Sequence, residues 1–235
     1  MNQGIAITGE LPVERTVEED VLRRRFGFQK EMKCHFMIAD YQALAREGIH
    51  GCAMQRAVQA TVRRYLAGGF DPERSICFLQ SQVPQLAEMT MIFSNLVPLA
   101  ELLKKRVRRF TQARSTLAPF GRDRSVASFG EVGYPVSQAA DILTFGARHV
   151  LALERHRENV ELAQAVAKRF NDAFGEVFTI PSPVVYDRGA IEEVRHQGPE
   201  SVDDTFVRDV LNLGGSEARI RAQQTLERVR EAMGM

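Results

Sequence analysis

Few side chains in this sequence stand at a spacing that by itself specifies a reaction. The chain contains neither the G-x-x-x-x-G-K-[ST] loop nor the G-x-G-x-x-G loop that holds phosphates in many α/β proteins. Its 5 histidines form no H-E-x-x-H pair, and its 3 cysteines form no C-x-x-C pair. We therefore expect no metal site. The cysteine usage and the lack of a signal-peptide pattern predict a reduced, cytoplasmic protein.

Polar side chains follow several short apolar runs of the sequence. Thr8 ends one run, Gln80 and Ser81 follow a second, and His156 comes shortly after a third. Open α/β sheets bind ligands at such strand ends. Thr8 and Ser81 are candidate nucleophiles, although the sequence places no base beside either hydroxyl. His156 is a candidate acid or base, and an ordinary surface histidine is the simpler interpretation.

One dense basic cluster is the only candidate for nucleic-acid binding. It consists of Lys104, Lys105, Arg106, Arg108 and Arg109. At helical spacing these side chains could hold a phosphate backbone, although short charge runs are more often a solvated helix face. The formal net charge is only +1, so this local patch would have to hold any nucleic-acid partner.

The elements that must position these residues alternate between short apolar runs and helical segments. Apolar runs that predict buried strands lie at 5–7, 35–39, 76–79 and 149–153. Helical spacing is found at 17–28, 54–67, 85–110, 138–145, 159–174, 204–213 and 216–233, with a polar loop at 114–133 and an irregular stretch at 182–204. Strands separated by helices predict an α/β fold with a doubly wound parallel sheet. No run is apolar enough to predict a membrane span.

Five segments carry motifs in a fixed order. They are FMIADYQAL at 36–44, DPERS with FLQSQVP at 71–84, GYPVSQAADIL at 133–143, ELAQAVAKRFN at 161–171 and a last helix at 217–234. In the same order they resemble motifs of tryptophanyl-tRNA synthetase, a class I synthetase, among them FxIADxHAL and YPVLQAADIL. The matches cover most of 1–183 and 204–235. On this resemblance the chain is identified as a member of that family.

The resemblance implies an overall architecture. Residues 1–183 would form the Rossmann-like catalytic domain, and residues 204–235 would be a helical remnant packed back on it. Residues 184–203 would be a linker in place of the KMSKS loop and most of the anticodon-binding domain, because no lysine follows Lys168. Family members are homodimers through the sheet domain, so the resemblance also implies a homodimer.

An amino-acid site is the second implication of the resemblance. In the family, the aspartate of AADIL accepts the indole N–H of tryptophan, and Asp141 holds that position. Tyr134 matches a tyrosine near the substrate amino group, Gln138 lies on the same helix, and Gln80 and Asp40 belong to the matching motifs. A buried carboxylate needs a partner, which an indole N–H would supply. The alternative is that Asp141 is bonded to its own neighbours.

The ATP-binding signature of the family departs most in this chain. Aligned on TGEL at 8–11, the positions of its H-L-G-H sequence hold Pro12, Val13, Glu14 and Arg15. Pro12 and Val13 have no hydrogen-bonding side chain, and Glu14 would repel a polyphosphate. With the KMSKS loop also missing, we expect that the ATP site is lost and that no cofactor is bound.

A further departure lies in the stretch VLALERH at 150–156, where the family has VPVGEDQ. Glu154 is kept, whereas Leu153 replaces the glycine and His156 replaces the glutamine. The bulkier leucine narrows the space in which ATP and the amino acid should meet. Glu154 and His156 are therefore candidate catalytic residues of a changed site.

Three functions remain open from the sequence, and it does not decide whether the protein is an enzyme. The first is a repurposed enzyme of specialised metabolism that binds tryptophan or a related indole, with aminoacyl-tRNA as one candidate acyl donor. The second is a non-catalytic tryptophan- or tRNA-binding protein, such as a sensor or a synthetase partner. The third is a tryptophan–tRNA ligase with divergent motifs. We favour the first, because Leu153 and His156 have changed beside a kept Asp141.

Overall fold

A sheet of 5 parallel strands forms the centre of the protein. The computed structural model describes residues 5–12, 19–47, 50–103, 128–152, 154–185 and 202–235. The strands are β1 (Ile5–Glu10), β2 (Lys33–Ile38), β3 (Ile76–Leu79), β4 (His149–Ala152) and β5 (Ser182–Val185). Their order is β3-β2-β1-β4-β5, and every neighbouring pair is parallel. The predicted α/β fold with a doubly wound parallel sheet is therefore confirmed.

Helices cover both faces of this sheet. In the described residues they are α1 (Glu19–Gly27), α2 (Asp40–Glu47), α3 (Gly51–Ala67), α4 (Gln85–Ser94), α5 (Phe129–Leu143), α6 (Arg157–Phe174) and α7 (Asp204–Met233). Side chains alternate along β1, so Ala6 joins the hydrophobic cluster of α1 and α3, whereas Ile7 joins that of α4, α5 and α6. The two clusters give the sheet a buried environment on both sides, as parallel sheets require.

The C-terminal helix α7 packs across the edge strand β3. Its first half packs with α1 and α3, and its second half packs with α4, α5 and α6. Between the halves, Gly214 lies so close to β3 that an added Cβ would stand 2.0 Å from the carbonyl oxygen of Cys77. An added Cβ at the neighbouring Gly215 would stand 2.6 Å from the Oε1 of Gln82. The helix thus covers the edge of the sheet, which would otherwise offer unpaired backbone groups to another chain.

The sequence predicted two C-terminal helices, at 204–213 and 216–233, and this prediction is wrong. The structure has one continuous helix of 30 residues, Asp204–Met233. Two adjacent glycines lower helix propensity, so the sequence alone predicts that the helix breaks there. Here they are tolerated because Gly214 and Gly215 permit the close contact with β3 and Gln82.

Three other predictions of elements differ from the structure. The predicted irregular stretch at 182–204 begins with strand β5, whose proline is acceptable because β5 lies at the sheet edge. The predicted loop at 114–133 overlaps the start of α5, where Ser128 and Glu131 form a capping box. The predicted helix at 85–110 ends at Ser94, and the chain becomes helical again at 99–103. Within the described residues, no helix is long and apolar enough to cross a membrane.

Candidate functional site

The candidate site lies where β2 and β3 end, on the side of the sheet that α5 covers. Asp40 begins α2 directly after β2, and Gln80 and Ser81 form a short 3₁₀ turn directly after β3. Asp141, on α5, contacts this turn. Parallel strands direct their carboxyl ends to one edge of the sheet, and the strand order of this sheet changes direction beside β1. Crevices at such an edge are the usual ligand sites of open α/β sheets.

Asp141 is a buried carboxylate that is bound by the Gln80 amide. The Nε2 of Gln80 donates to Asp141 Oδ1 at 2.9 Å and to Oδ2 at 3.0 Å. The two residues are only 4% and 2% exposed. The pKa of Asp141 is raised from 3.8 to about 7, chiefly by burial and also by the negative charge of Asp40, whereas the amide of Gln80 opposes the rise. The carboxyl can therefore gain or lose a proton near neutral pH, a property typical of functional sites.

Gln80 and Asp141 together have more hydrogen-bond acceptor sites than donors. Each carboxylate oxygen of Asp141 can accept more than one hydrogen bond. The Oε1 of Gln80 is buried and has no hydrogen-bond partner among the described residues. The pair therefore has acceptor capacity that the described residues do not fill.

Asp40 joins the ends of β2 and β3 through Ser81. Its Oδ1 accepts the main-chain N–H of Ser81 at 3.0 Å and that of Tyr41 at 3.1 Å. The hydroxyl of Ser81 donates to Asp40 Oδ2. Asp40 is thus a carboxylate partner for Ser81 that the sequence could not place. A carboxylate is a weak base for a serine hydroxyl, so the contact positions the two loops beside Asp141.

The remaining candidate binding residues lie on α5 with Asp141. Tyr134, Gln138 and Asp141 are spaced by four and three residues, which places them on one side of the helix. Tyr134 is buried and Gln138 is half-buried. The predicted group on α5 therefore shares one side of the helix.

The structure does not bring the other predicted catalytic residues to Asp141. Thr8 lies two residues after Ala6 on β1, so it points to the same face as Ala6, toward α1 and α3 and away from α5. Glu154 is exposed, and its carboxylate accepts from Arg157 at 2.7 and 2.8 Å. That partner lowers the pKa of Glu154. His156 is also exposed. Of the four catalytic candidates, only Ser81 contacts the site.

Sequence reasoning missed one buried polar cluster at the end of β1. The Glu10 carboxylate accepts from Arg25 of α1 and, at 2.9 Å, from the hydroxyl of Tyr65 of α3. The side chains of Glu10 and Arg25 are 8% and 7% exposed. The sequence signal that could have predicted this cluster is a glutamate, Glu10, at the end of an apolar strand. A buried pair of this kind fixes the position of α1 against β1, because separating its charges would leave them unpaired.

Some predicted residues lie outside the described part of the chain. They are the basic cluster (Lys104, Lys105, Arg106, Arg108 and Arg109), Leu153, and the departures Val13, Glu14 and Arg15.

Comparison with known proteins gives a family match and several relatives. The model of the "tRNA synthetases class I (W and Y)" matches residues 20–191. The tryptophan–tRNA ligase of Treponema pallidum is 39% identical over 171 residues, which are 71% of this chain and 48% of the relative. That of Thermotoga maritima is 34% identical over 183 residues, 77% of this chain and 53% of the relative. The chain thus spans about half the length of these relatives.

Solved structures support the same fold. The tryptophanyl-tRNA synthetase of Campylobacter jejuni has a TM-score of 0.80 at 19% identity and covers 100% of both chains. A second structure, of the C. jejuni enzyme with ADP and tryptophan, has a TM-score of 0.79 at 18% identity, over 98% of this chain and 100% of that one. The tyrosyl-tRNA synthetase of Archaeoglobus fulgidus, complexed with L-tyrosine, has a TM-score of 0.63 at 17% identity, over 79% of this chain and 55% of that one.

Proposed function

Because the chain belongs to the class I tRNA synthetases of the tryptophan and tyrosine type, we propose that it binds tryptophan or a related indole through Asp141. The observation that carries this proposal is the buried carboxylate, whose described hydrogen-bond partner is a neutral amide. Ionisation of such a group is costly without further donors. The indole N–H is a donor on an apolar ring, and it would stabilise the ionised carboxylate inside an apolar wall.

The surroundings of Asp141 suit an aromatic ligand. The adjacent residues on α5, Ala140 and Ile142, belong to the hydrophobic cluster that also contains Phe78 of β3. An apolar wall with a few fixed polar groups is the usual composition of a small-molecule site. Tyr134 and Gln138, on the same side of α5, are the proposed further contacts with the ligand. Gln80 and Asp40 complete the proposed binding set.

We further propose that the protein does not activate its ligand with ATP, and that it binds no cofactor. Support comes from the sequence, where Pro12 and Glu14 stand at positions of the phosphate-binding signature and no lysine follows Lys168. The proposed role is then an enzyme of specialised metabolism that acts on a tryptophan-derived substrate. Ser81 is its best-placed nucleophile, because it contacts the site through Asp40. A tRNA partner held by the basic cluster at 104–109 and a homodimer remain parts of this proposal.

A second candidate function is tryptophan–tRNA ligation with divergent motifs. It is favoured by the names of the relatives from T. pallidum and T. maritima, both tryptophan–tRNA ligases. The two functions differ in a measurable property, because a ligase must couple tryptophan to ATP. A sensor or synthetase partner would share the tryptophan site and would show no turnover.

The proposal is tested by calorimetric titration of the protein with L-tryptophan. Asp141→Asn should weaken binding about 10- to 100-fold, because a hydrogen bond to a charged acceptor contributes about 1.5–3 kcal/mol. Asp172→Asn is the matched control, since Asp172 is an exposed aspartate of α6, and its affinity should equal that of the wild type. Equal affinity of the Asp141 variant and the wild type would refute the role of Asp141.

A further inference from the structure

The side-chain carbonyl of Gln80 is an acceptor without a donor. Gln80 is 2% exposed, and its Oε1 is buried with no hydrogen-bond partner among the described residues. Its Nε2 is fully engaged by the two oxygens of Asp141. Buried polar groups are rarely left unpaired, because an unpaired acceptor retains the full cost of its desolvation. This atom therefore calls for a donor that the described residues do not provide.

While Asp141 is ionised, rotation of the amide would not relieve the unpaired oxygen. A half-turn would place Oε1 against the carboxylate of Asp141, so that two acceptors would face each other, and it would leave Asp141 without its donor. Above the pKa of Asp141 the carboxylate is ionised and requires Nε2. The carboxylate therefore holds the Gln80 carbonyl in its present direction.

The residues that adjoin Gln80 in this turn do not supply the missing donor. The hydroxyl and the main-chain N–H of Ser81 both bond to Asp40. Asp40 is itself a carboxylate, and its charge acts on Asp141. The described site thus presents three acceptor groups, Asp40, Gln80 and Asp141, and its local electrostatics favour a donor-rich ligand.

We propose that Gln80 Oε1 is a second recognition atom, and that the preferred ligand is an indole that carries an additional O–H or N–H donor on its ring. This inference rests on the proposed function, since the ring N–H is taken to bind Asp141. The ring of tryptophan offers only one donor, so once its N–H binds Asp141 no ring donor remains for Gln80 Oε1. A ring-hydroxylated tryptophan can satisfy both acceptors at once.

The test compares L-tryptophan with its benzo-ring hydroxy derivatives by calorimetric titration at a pH of about 8, where Asp141 is ionised. At least one derivative should bind about tenfold tighter than tryptophan, because a site built to bond a ligand hydroxyl discriminates against the analogue that lacks it. If no derivative binds tighter while tryptophan binds, this inference is wrong and the proposed function stands. If neither tryptophan nor any derivative binds, both are wrong.

Two variants test whether Gln80 Oε1 causes the preference for a hydroxylated ring. Gln80→Met removes the carbonyl and should abolish the difference between tryptophan and the preferred derivative. Gln85→Met is the matched control: its Oε1 is also buried without a described partner, but its amide bonds to Gln223 of α7 at 3.0 Å rather than to the site. The control should keep the preference. A preference that survives in Gln80→Met overturns the assignment, and if that variant does not fold, the wild-type ligand series decides.

Discussion

The buried carboxyl of Asp141 makes the stability of the ligand-free protein depend on pH. Its pKa rises from 3.8 to about 7 in the fold because of burial, so between these values the native state holds a proton that the unfolded chain releases. The contribution of protonated Asp141 to the free energy of unfolding is complete below a pH of 3.8, the pKa in the unfolded chain. It is lost as the pH rises from there through about 7, the pKa in the native state, at about 1.4 kcal/mol per pH unit.

Asp141→Asn removes this titration. In urea unfolding, the free energy of unfolding of the variant should therefore rise relative to that of the wild type as the pH increases from about 5 to about 8. Asp172→Asn, at an exposed site, should track the wild type at every pH. A stability difference that stays constant with pH would contradict the shifted pKa of Asp141.

His35 gives the opposite dependence on pH. It is fully buried on β2, its ring lies at the edges of Phe78 and Phe145, and neither ring nitrogen has a described partner. The pKa of His35 is lowered from 6.5 to about 3, chiefly by burial and also by the charges of Arg221 and Lys33. Between these pH values His35 is therefore neutral in the native state and protonated in the unfolded chain. Stability is complete above the ordinary pKa of histidine and is lost as the pH falls below it.

His35→Leu should flatten the acid side of the stability profile. Between a pH of about 6 and about 4, the variant should lose less free energy of unfolding than the wild type, as measured by urea denaturation at each pH. The control is Phe36→Leu, a buried substitution on the same strand, which removes no ionisable group and should leave the acid slope unchanged. Equal acid slopes for His35→Leu and the wild type would refute the prediction.

The sequence predicted which residues gather at the site better than it predicted their contacts. Gln80 and Ser81 were expected at a strand end, because a short apolar run followed by polar residues indicates where a strand stops, whereas Asp40 was named only through the family resemblance. The bond from Gln80 to Asp141 joins residues 61 positions apart, and no local pattern encodes it. The sequence also did not show which face of the sheet Thr8 points to, because that depends on the bounds and alternation of β1, which the run at 5–7 did not define.

Among the helices, α7 depends most on a single small residue. An added Cβ at Gly214 would meet the carbonyl oxygen of Cys77 at 2.0 Å, a contact with backbone that cannot move aside cheaply. Gly214→Ala should therefore lower the free energy of unfolding by about 1–3 kcal/mol or more, as overpacking does. Gly133→Ala is the matched control on α5, where the nearest atom stands 4.0 Å away. There, the better helix propensity of alanine should raise the stability by about 0.5–1 kcal/mol.

Denaturant unfolding of both variants measures these opposite effects. A stable Gly214→Ala variant would mean that α7 does not lie against β3 as the structure shows. The same glycines explain why local patterns failed here. Helix propensity favours a break at Gly214 and Gly215, whereas the tertiary contact with the sheet edge requires small residues within a continuous helix.

For the whole chain, hydrophobic periodicity was sufficient to predict the architecture. Strands and helices alternate along the sequence, and this alternation leaves few topologies besides a doubly wound parallel sheet. The far edge of the sheet was harder to predict, because β5 is a short strand of 4 residues that includes a proline. The hydrogen bonds to β4 form this strand, although its own sequence does not indicate one.

The composition of the chain offers a direct test of the two candidate functions. The protein contains no tryptophan, so the fluorescence of an added L-tryptophan can be followed without background from protein tryptophan. Binding beside Asp141 should raise the fluorescence anisotropy of the ligand, and titration gives its dissociation constant. By linkage, a nucleotide that binds with energetic coupling to tryptophan must change this constant.

We expect the dissociation constant of tryptophan to be the same with and without magnesium–ATP, because the proposed protein has no ATP site. Incorporation of pyrophosphate into ATP should likewise be absent in the presence of tryptophan. A constant that changes with ATP, together with tryptophan-dependent pyrophosphate exchange, would establish the ligase function instead. The segment at 12–15 would then have to accommodate phosphate despite its proline and glutamate, through the main-chain N–H groups that any residue except proline provides.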